Sequence, residues 1–477
     1  MAATPTISAK LSTDDFDTSA LEIRRLVHTE AIGRPFTITI DAVVEGTDGL
    51  DLDKVVGAEV TLAIDDGKDV VREVKGLVTE VLDRLDTEMA HRNFTIVVRP
   101  LQHRLALVET VDIFLDLSVP DVVKKKLSLV GDEDKFVSRL RATYPTRDFV
   151  VQYKESDLAF VSRLCEHLGI ALVFADDGSL ELHDDGGSFE ALEAELPYRA
   201  RGEKTGVYAL DARRTIMPSL YVVRDYNYRT PLTDVTGSHD VPDAYAGGVI
   251  EYGAHTKTPD DATALAKVRA EERLTGRHVF SGESGLPTIA AARRAKIAGH
   301  ALTGDIDVLF TEVTHTFELG TKAFTPGAEE VGYRNSFRAI AADVPFRPAR
   351  VTPKPFVPGL LTSVVDADGE PQELGNIDEQ GRYRIRFLFD TAGPGERRAS
   401  HRVRMAQPHA GAGFGMHFPL NPGVEVLLAF VNGDPDRPIV VGAVPNPVTP
   451  TPVDAAVRRL NRIKTETGVL FEIGDSK

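Results

Sequence analysis

The chain has 477 residues, 42% of them hydrophobic and 27% charged, a balance that is typical of folded proteins and excludes a largely disordered chain. At about 150 residues per domain, this length predicts about three domains. The formal net charge of -17 argues against a protein that coats nucleic acid or an anionic membrane, so we expect no nucleic-acid partner.

Cysteine usage and the N-terminal residues bear on the compartment. The single cysteine, Cys165, cannot form an internal disulfide, and the chain has no cysteine cluster that could hold zinc. Residues 1–16 lack a basic segment followed by an apolar one, and no run approaches the roughly 18 apolar residues of a membrane helix. We therefore expect a protein made in a reducing compartment, with neither a Sec-type signal peptide nor a membrane span.

The first 110 residues have the pattern of a β-domain. Short alternating apolar runs cover residues 37–43, 58–64 and 91–99, and pairs such as Asp66-Gly67 between such runs are typical of hairpin turns. This pattern predicts a barrel or sandwich, and we assign residues 1–110 to a first barrel-like domain.

Residues 111–347 predict a helical insert followed by a second barrel-like domain. The clearest helix runs from Ser156, a good N-cap, to Gly169, with Asp157 near its positive end. Further helices are predicted to begin at 118–121 and to cover 135–142, 261–274 and 288–298. Strands are predicted at 170–174, 179–183, 220–228 and 308–317.

A proline-rich linker at residues 348–358 separates these domains from a smaller β-domain at 359–447. Strand candidates in the smaller domain are 360–365, 382–389, 401–407, 423–430 and 438–444. Five short strands over about 90 residues suit a barrel of the OB type. Residues 448–477 hold one alternating stretch and cannot form a domain alone.

Catalytic motifs are not supported. Residues 411–416 begin like a dinucleotide-binding loop, but Met416 stands at the last glycine position and no helix follows, so a β-turn is favoured. Residues 282–285 lack the spacing of a nucleophile elbow and are interpreted as a plain turn. Residues 366–369 resemble the opening of a calcium loop, but Ile377 stands where the closing glutamate belongs. We therefore expect no enzyme activity, catalytic residue, cofactor or bound metal.

Histidines leave one alternative open. His401, His409 and His417 recur every eight residues, and this spacing on strands could bring imidazoles together at a trimer axis as a metal or anion site. Independent surface histidines are the simpler interpretation. His167 is interpreted as a solvated residue, because it shares a helix whose other face supplies the core.

The sequence GDPDRP at 433–438 predicts a rigid turn between two strands. Pro435 fixes φ at the second turn position, Asp434 can accept backbone N–H bonds, and Arg437 can pair with a carboxylate.

Several motifs, in order and spacing, resemble one known family. Its OB domain is matched by NIDEQGRYRIRF at 376–387, RVRMAQP at 402–408, GVEV at 423–426 and GDPDRP at 433–438. Its hub is matched by VQYKESDLAFVSRL at 151–164, RPL at 99–101, SVPD at 118–121, HTF at 315–317 and YRNSF at 333–337. These motifs resemble VgrG, the trimeric spike of type VI secretion systems, which is similar to the fused hub and spike proteins of contractile phage tails.

The resemblance implies a mainly β fold with some α (α+β): two barrel-like hub domains, a C-terminal OB-fold barrel, and the start of a trimeric β-helix at 448–477. It also implies a non-enzymatic homotrimer, built in the cytoplasm and exported by the injection machine, that meets a target membrane only by mechanical puncture. Implied partners are an Hcp-type hexameric tube, a PAAR-like tip protein, baseplate proteins and effectors. The family-signature positions, which we expect to be structural, are Glu155, Ser156, Asp157, Gly381, Arg382, Gly423, Glu425, Gly433, Asp434, Pro435, Asp436, Arg437 and Pro438.

The chain departs from the family pattern in three ways. It has no tryptophan, whereas the family often carries tryptophan in the OB strands, so a divergent branch is expected. It stops soon after the β-helix needle would begin, and no lysozyme insert fits between hub and OB domain. Two alternatives stay open: the spike of an extracellular contractile particle or phage tail, and an evolved VgrG whose enzymatic extension lies beyond this chain.

Overall fold

The computed structural model describes residues 7–45, 49–66, 69–85, 91–199, 205–319, 332–367, 377–389 and 402–474. The α-helices of these ranges are α1 (Leu52–Val55), α2 (Val119–Leu129), α3 (Asp157–Leu168) and α4 (Pro259–Thr275). Short 3-10 turns occur at Leu101–Leu107, Glu133–Lys135, Gly186–Ser188, Val431–Gly433 and Ala455–Val457. None of the helices in this part of the chain is long and apolar enough to cross a membrane.

Strands dominate the described chain. In chain order they are β1 (Ser8–Ser12), β2 (Leu21–Ala31), β3 (Arg34–Glu45), β4 (Glu59–Asp65), β5 (Val70–Arg84), β6 (His91–Arg99), β7 (Glu109–Phe114), β8 (Phe136–Ser138), β9 (Val150–Ser156), β10 (Ala171–Phe174), β11 (Leu180–His183), β12 (Leu196–Pro197), β13 (Val207–Arg214), β14 (Leu220–Asp225), β15 (Val235–Asp240), β16 (Gly248–Tyr252), β17 (His278–Ser284), β18 (Arg294–His300), β19 (Gly304–Glu318), β20 (Tyr333–Ala341), β21 (Leu361–Val365), β22 (Ile385–Phe387), β23 (His409–Gly411), β24 (Phe414–Met416), β25 (Glu425–Phe430), β26 (Pro438–Ala443), β27 (Leu460–Lys464) and β28 (Leu470–Gly474). The expected fold class, mainly β with some α, is confirmed.

The chain forms two compact units. The first contains residues 1–108, 119–144 and 156–353, and the second contains 109–118, 145–155 and 354–477. The domain boundaries given above from the sequence stay predictions.

The main sheet of the first unit has twelve strands. Its main path runs β1-β4-β5-β6-β3-β2-β19-β20-β17-β13, and β18 pairs with both β12 and β19. The antiparallel pairing of β2 with β19, in which His28 faces His315, joins strands from the two predicted hub domains into one sheet.

Alternation along the strands explains the core of the N-terminal half of this sheet. In β3, Phe36, Ile38 and Ile40 are buried at every second position, and Phe94 and Ile96 repeat the pattern in β6. Because side chains alternate between the two faces of a strand, these residues project to one side and form one hydrophobic core.

Helix α4 packs on the small sheet β15-β14-β16 in the same unit. A capping box begins the helix: the Asp261 N–H donates to Thr258 Oγ1 at 3.1 Å, and the Asp261 carboxylate accepts from the Thr258 N–H at 3.1 Å. At Gly237 in β15, an added Cβ would lie 2.1 Å from the backbone nitrogen of Thr263 in α4. Only glycine allows this close approach of strand and helix.

The second unit contains an antiparallel sheet of order β22-β21-β25-β26. Isolated bridges join Tyr383 to Val403 and Met405 to Val440 beside it. Its core holds Tyr383, Phe387, Leu428 and other buried residues, together with Ile113 from β7. β7 pairs with β9, while β23 with β24 and β27 with β28 form separate hairpins.

Most predicted elements are confirmed, and two helix predictions are wrong. The helices predicted at 118–121, 156–169 and 261–274 correspond to α2, α3 and α4. Residues 135–142 instead contain β8, which pairs with β11, and residues 288–298 lead into β18, which pairs with β19. In both cases pairing within a sheet overrides helix propensity.

One OB strand prediction is also wrong in its described part. His401 lies outside the described residues, and residues 402–407 make only the isolated bridges at Val403 and Met405. The remaining predicted OB strands coincide with β21, β22, β25 and β26.

The contact at Gly237 gives a test of this packing. We expect Gly237→Ala to lower the free energy of unfolding by about 1–3 kcal/mol, because the new methyl group overlaps the backbone of α4. Thermal or denaturant unfolding of the purified protein would measure the loss. Gly276→Ala at the end of α4 is the control, since its φ is -89° and its nearest atom would be 3.7 Å away. Equal stability of the two variants would contradict the close packing of α4 on β15 at Gly237.

Candidate functional site

The hub signature positions begin helix α3. Ser156 has extended φ and ψ, and its Oγ accepts a hydrogen bond from the Ala159 N–H at 3.2 Å, as the predicted N-cap requires. Gly169 ends the helix with φ of 71°. Cys165 is fully buried on this helix, and burial raises the pKa of its thiol.

Asp157 does more than stabilise the helix start. It is fully buried, and its carboxylate lies 2.9 Å from the Lys126 ammonium of α2, which is 1% exposed. Sequence reasoning missed this partner. Lys126 occupies the same stripe of α2 as the buried Val119, Val122 and Val123, and a lysine on an apolar stripe was the available signal of a buried ion pair.

The third hub signature residue, Glu155, makes local contacts in β9. Its carbonyl accepts a bond from Gln152 Nε2 at 3.0 Å, and its carboxylate accepts one from the Tyr153 N–H at 3.4 Å. These contacts lie in the backbone segment just before α3.

We expect Lys126→Met to lower the free energy of unfolding by roughly 3–5 kcal/mol, because it leaves the buried Asp157 carboxylate without this cation. Lys124→Met on the same helix is a matched control, since Lys124 is 52% exposed and 3.4 Å from Glu133. Lys124→Met should lower the free energy of unfolding by less than about 1 kcal/mol, because it removes only an exposed ion pair. Chemical denaturation would measure the free energy of unfolding of both variants. If Lys126→Met lowered it as little as Lys124→Met does, the Lys126–Asp157 pair would not be a stabilising ion pair.

A buried charge network, which we define by Glu30, Arg72, Asp176 and His315, lies in the first unit. The Arg72 guanidinium donates to the two carboxylate oxygens of Asp176 at 2.8 Å each and to those of Glu30 at 3.0 and 2.7 Å. His315 Nε2 lies 2.9 Å from Glu30 Oε1, and Nδ1 of the same ring is bonded to the Tyr333 hydroxyl. Residues from β2, β5 and β19 are thereby connected.

Electrostatics explain the protonation states in the network. Burial alone would raise the pKa of Glu30, but the Arg72 charge and the bond with His315 hold that pKa well below its usual value. Burial lowers the pKa of His28 and of His315, and the nearby Arg72 charge acts in the same direction. Glu30 is therefore charged and both histidines are neutral at pH 7.

These residues do not make a favourable metal centre. Ligand atoms of His28, Glu30 and His315 lie within 4.8 Å of one another, which is close enough to consider a cation. However, Arg72 Nη1 lies 3.0 Å from His315 Nε2, and its charge already neutralises Glu30 and opposes a second cation. The network is better explained as a structural ion-pair cluster.

His28 is unusual within this region. The ring stacks on His315 at 5.2 Å between centroids and meets Phe36 edge-on at 5.4 Å. Among the described residues, neither of its ring nitrogens has a hydrogen-bond partner. Buried and neutral, the imidazole therefore functions as an aromatic packing group.

The lowered histidine pKa values predict a pH dependence. Below the ordinary pKa of 6.5, the unfolded chain takes up protons on His28 and His315 that the folded chain does not bind. Stability should therefore fall as the pH drops from 7 toward 5. The Glu30 carboxylate, whose folded pKa is lowered, stabilises the fold at pH values above 4.5 and loses that contribution only at lower pH.

His28→Phe should make this decrease between pH 7 and 5 shallower, because one of the two buried titrating rings is removed while the aromatic contacts are kept. Melting temperatures across that pH range would measure the slope. His91→Phe at an exposed position is the control. If the melting temperature of His28→Phe fell with pH as steeply as that of the wild type, His28 would not be a buried, neutral ring that resists protonation.

In the second unit, the signature residues 433–438 form the predicted rigid turn. The Arg437 N–H donates to the Asp434 carbonyl at 2.9 Å across Pro435, and the Asp434 carboxylate accepts from the Asp436 N–H at 3.0 Å. Pro438 then begins β26.

This turn is fixed to its surroundings by charge and by close packing. Lys354 Nζ lies 2.6 Å from Asp434 and 3.0 Å from Asp436, and the latter carboxylate also accepts from the Val151 N–H at 2.7 Å. Gly433 has φ of 69°, and a Cβ there would be 2.0 Å from the Phe356 ring. Glycine is required both by the backbone and by the ring above it.

A second signature turn stands at residues 378–382. Gly381 has φ of 71°, and the Asp378 carboxylate accepts from the backbone and from Nε of Arg382 at 3.0 and 2.7 Å. Although partial burial alone would raise the pKa of Asp378, these bonds lower it. Asn376, the first residue of the quoted motif, lies outside the described residues.

Gly423 and Glu425 also make hydrogen bonds within the second unit. Gly423 has φ of 89° and donates its N–H to the Val365 carbonyl at 2.9 Å. Glu425 pairs with Val364 in the sheet, and its side chain accepts from Asn446 Nδ2 at 2.9 Å.

His409 is exposed in β23, whereas His417 Nε2 lies 2.8 Å from the Tyr383 hydroxyl. The histidine site at a trimer axis would be shared between copies of the chain, and it stays a prediction. His401 lies outside the described residues. The prediction that His167 is solvated is wrong, because it is half-buried and its Nδ1 lies 3.2 Å from Arg269 Nη2.

The remaining interpretations have mixed outcomes. Residues 411–416 form the β23–β24 hairpin, and Gly413 in its turn has φ of 76°, which confirms the β-turn. The plain turn predicted at 282–285 is wrong for Gly282 to Ser284, which belong to β17. Asp366 is buried, and Asp368 and Gly369 of the calcium-like stretch lie outside the described residues.

Comparisons with known families and proteins agree with this architecture. A family model described as "Phage tail baseplate hub (GPD)" matches residues 29–321, and one described as "Type VI secretion system/phage-baseplate injector OB domain" matches residues 374–444.

Among curated proteins, the chain is 30% identical over 470 residues to the type VI secretion system spike protein VgrG4b of Pseudomonas aeruginosa. The match covers 91% of this chain and 56% of that protein. The chain spans about half the length of the curated relatives that it matches first.

Among solved structures, the fold is similar to that of the E. coli c3393 protein, which is described as a component of the type VI secretion system with structural similarity to the T4 bacteriophage tail proteins gp27 and gp5. The TM-score is 0.66 at 22% identity, and the match covers 92% of this chain and all of that chain. The chain in a lidded Francisella PdpA-VgrG complex matches with a TM-score of 0.62 at 10% identity, over 98% of this chain and 75% of that one.

Proposed function

The chain belongs to the phage tail baseplate hub family, and from this premise we propose that it is a homotrimeric, non-enzymatic spike at the tip of a contractile injection machine of the type VI secretion class. The observation that carries the proposal is the order of its parts: a hub match over residues 29–321 is followed by an injector OB-domain match over residues 374–444.

A structural role is supported by what the signature residues do. Asp157, Asp378, Asp434 and Asp436 hold a helix start or a tight turn through buried or bidentate contacts. A spike driven by sheath contraction needs stiffness, and rigid turns and buried ion pairs provide it.

The proposed partners follow from the position of a spike between tube and tip. The hub would join an Hcp-type hexameric tube to a threefold tip, a PAAR-like protein would cap that tip, and baseplate proteins would surround the hub. Effectors would travel with the spike. The protein would assemble in the cytoplasm and leave through the machine itself.

Two alternatives make different predictions. A spike of an extracellular contractile particle or phage tail would be encoded without the membrane complex that accompanies type VI systems, so the neighbouring genes separate these cases. An evolved VgrG would carry an enzymatic extension after the needle, and sequencing the complete gene would reveal it.

The proposed assembly has a direct test. Light scattering of the purified chain should give a mass near three times 51.9 kDa that persists on dilution, because obligate interfaces of this kind bury roughly 2,000–5,000 Å². Co-purification with an Hcp-type tube protein would then test the adaptor role. A chain that is monomeric at every concentration would contradict the trimeric spike.

A further inference from the structure

One surface of the second unit is exposed and rich in apolar side chains, and it has no lysine, arginine, aspartate or glutamate, its ionisable side chains being those of His409 and His417. We define the uncharged hairpin as residues 408–419, which contain β23 and β24. All of these residues are exposed, and exposed fractions reach 63% for Phe414, 45% for Met416 and 51% for Phe418. In the described chain, β23 and β24 pair with each other and with no other strand.

The absence of charge extends beyond the hairpin. Residues 405–424 contain no lysine, arginine, aspartate or glutamate, although 27% of the whole chain is charged. The C-terminal hairpin of β27 and β28 is also exposed, but it carries an ion pair between Arg462 and Glu472 at 2.7 Å. Exposure alone therefore does not account for the composition of residues 405–424.

An isolated two-stranded ribbon is at best marginally stable in water. Exposed phenylalanine and methionine side chains are also the residue types enriched in protein interfaces, where charged residues are depleted at the centre. The uncharged hairpin thus has the composition of the centre of an interface.

The absence of charge indicates which partner would cover the uncharged hairpin. Side chains close to a rotation axis meet copies of themselves, so any charge there would face the same charge from each neighbour. A chain of net charge -17 can approach its own copies most favourably through a surface that has no charge. A basic partner protein would instead favour an acidic surface.

From these observations we infer that the uncharged hairpin packs against the same hairpin of the other copies of this chain, close to the symmetry axis of the assembly. This inference rests on the proposed trimer and deepens it, because it assigns the contact to residues 408–419. Phe414, Met416 and Phe418 would supply the buried apolar area.

Two variants of the full chain test the inference. Phe414→Asp places like charges at the axis and should raise the dissociation constant of the assembly by about a hundredfold or more, because such contacts cost several kcal/mol. Leu302→Asp, at a residue that is 92% exposed in the first unit, is the control and should leave the mass unchanged. Circular dichroism of both variants would verify that they fold.

Cross-linking gives an independent measurement of position. Met416→Cys adds an accessible thiol to a chain whose own Cys165 is buried, so a short bis-maleimide should link copies to each other at position 416. Leu302→Cys should give no such product.

The outcomes separate this inference from the proposed function. A trimeric wild type, dissociated Phe414→Asp and linked Met416→Cys would support both. A trimeric wild type whose Phe414→Asp variant keeps the same mass and whose Met416→Cys variant does not cross-link would overturn the inference and leave the spike proposal standing. A monomeric wild type would overturn both.

Discussion

The pairing of β2 with β19 joins the N-terminal strands of the first unit to its later strands in one sheet. Residues 25–31 of one strand and 312–318 of the other form an antiparallel ladder, and among the described strands this ladder connects the two parts of the main strand path. A shift of one residue would turn every buried side chain of β2 to the opposite face. The buried charge network lies at this ladder and joins Glu30 of β2 to His315 of β19. In the observed register of β2 against β19, the buried Glu30 carboxylate therefore keeps its partners in the network.

Sequence reasoning succeeded where local signals were strong. Ser156 and Gly169 bracket α3 as their capping preferences predict, and β6 matches its alternating run without error. It failed at β8 and β18, where pairing with distant strands decides the conformation. The buried charge network was also missed, because Glu30 and His315 are 285 positions apart and nothing in the sequence near either one indicates the other.

The signature motifs illustrate how a resemblance and a physical account complement each other. The sequence GDPDRP predicts a rigid turn, and the turn is present with Pro435 at its second position. The resemblance adds where such a turn belongs, in the OB domain of a spike. The structure shows the partners of the turn, which neither the sequence nor the resemblance indicates. Lys354 and the Val151 N–H both bind the Asp436 carboxylate. This carboxylate therefore connects three segments of the second unit, which contain Val151, Lys354 and the turn itself.

The single cysteine has a consequence for the export proposed above. Cys165 is enclosed in the packed face of α3, and burial keeps its thiol protonated. Protonated, inaccessible thiols react slowly with oxidants and with disulfides. This chain can therefore move from a reducing environment to an oxidising one and back with its covalent structure unchanged.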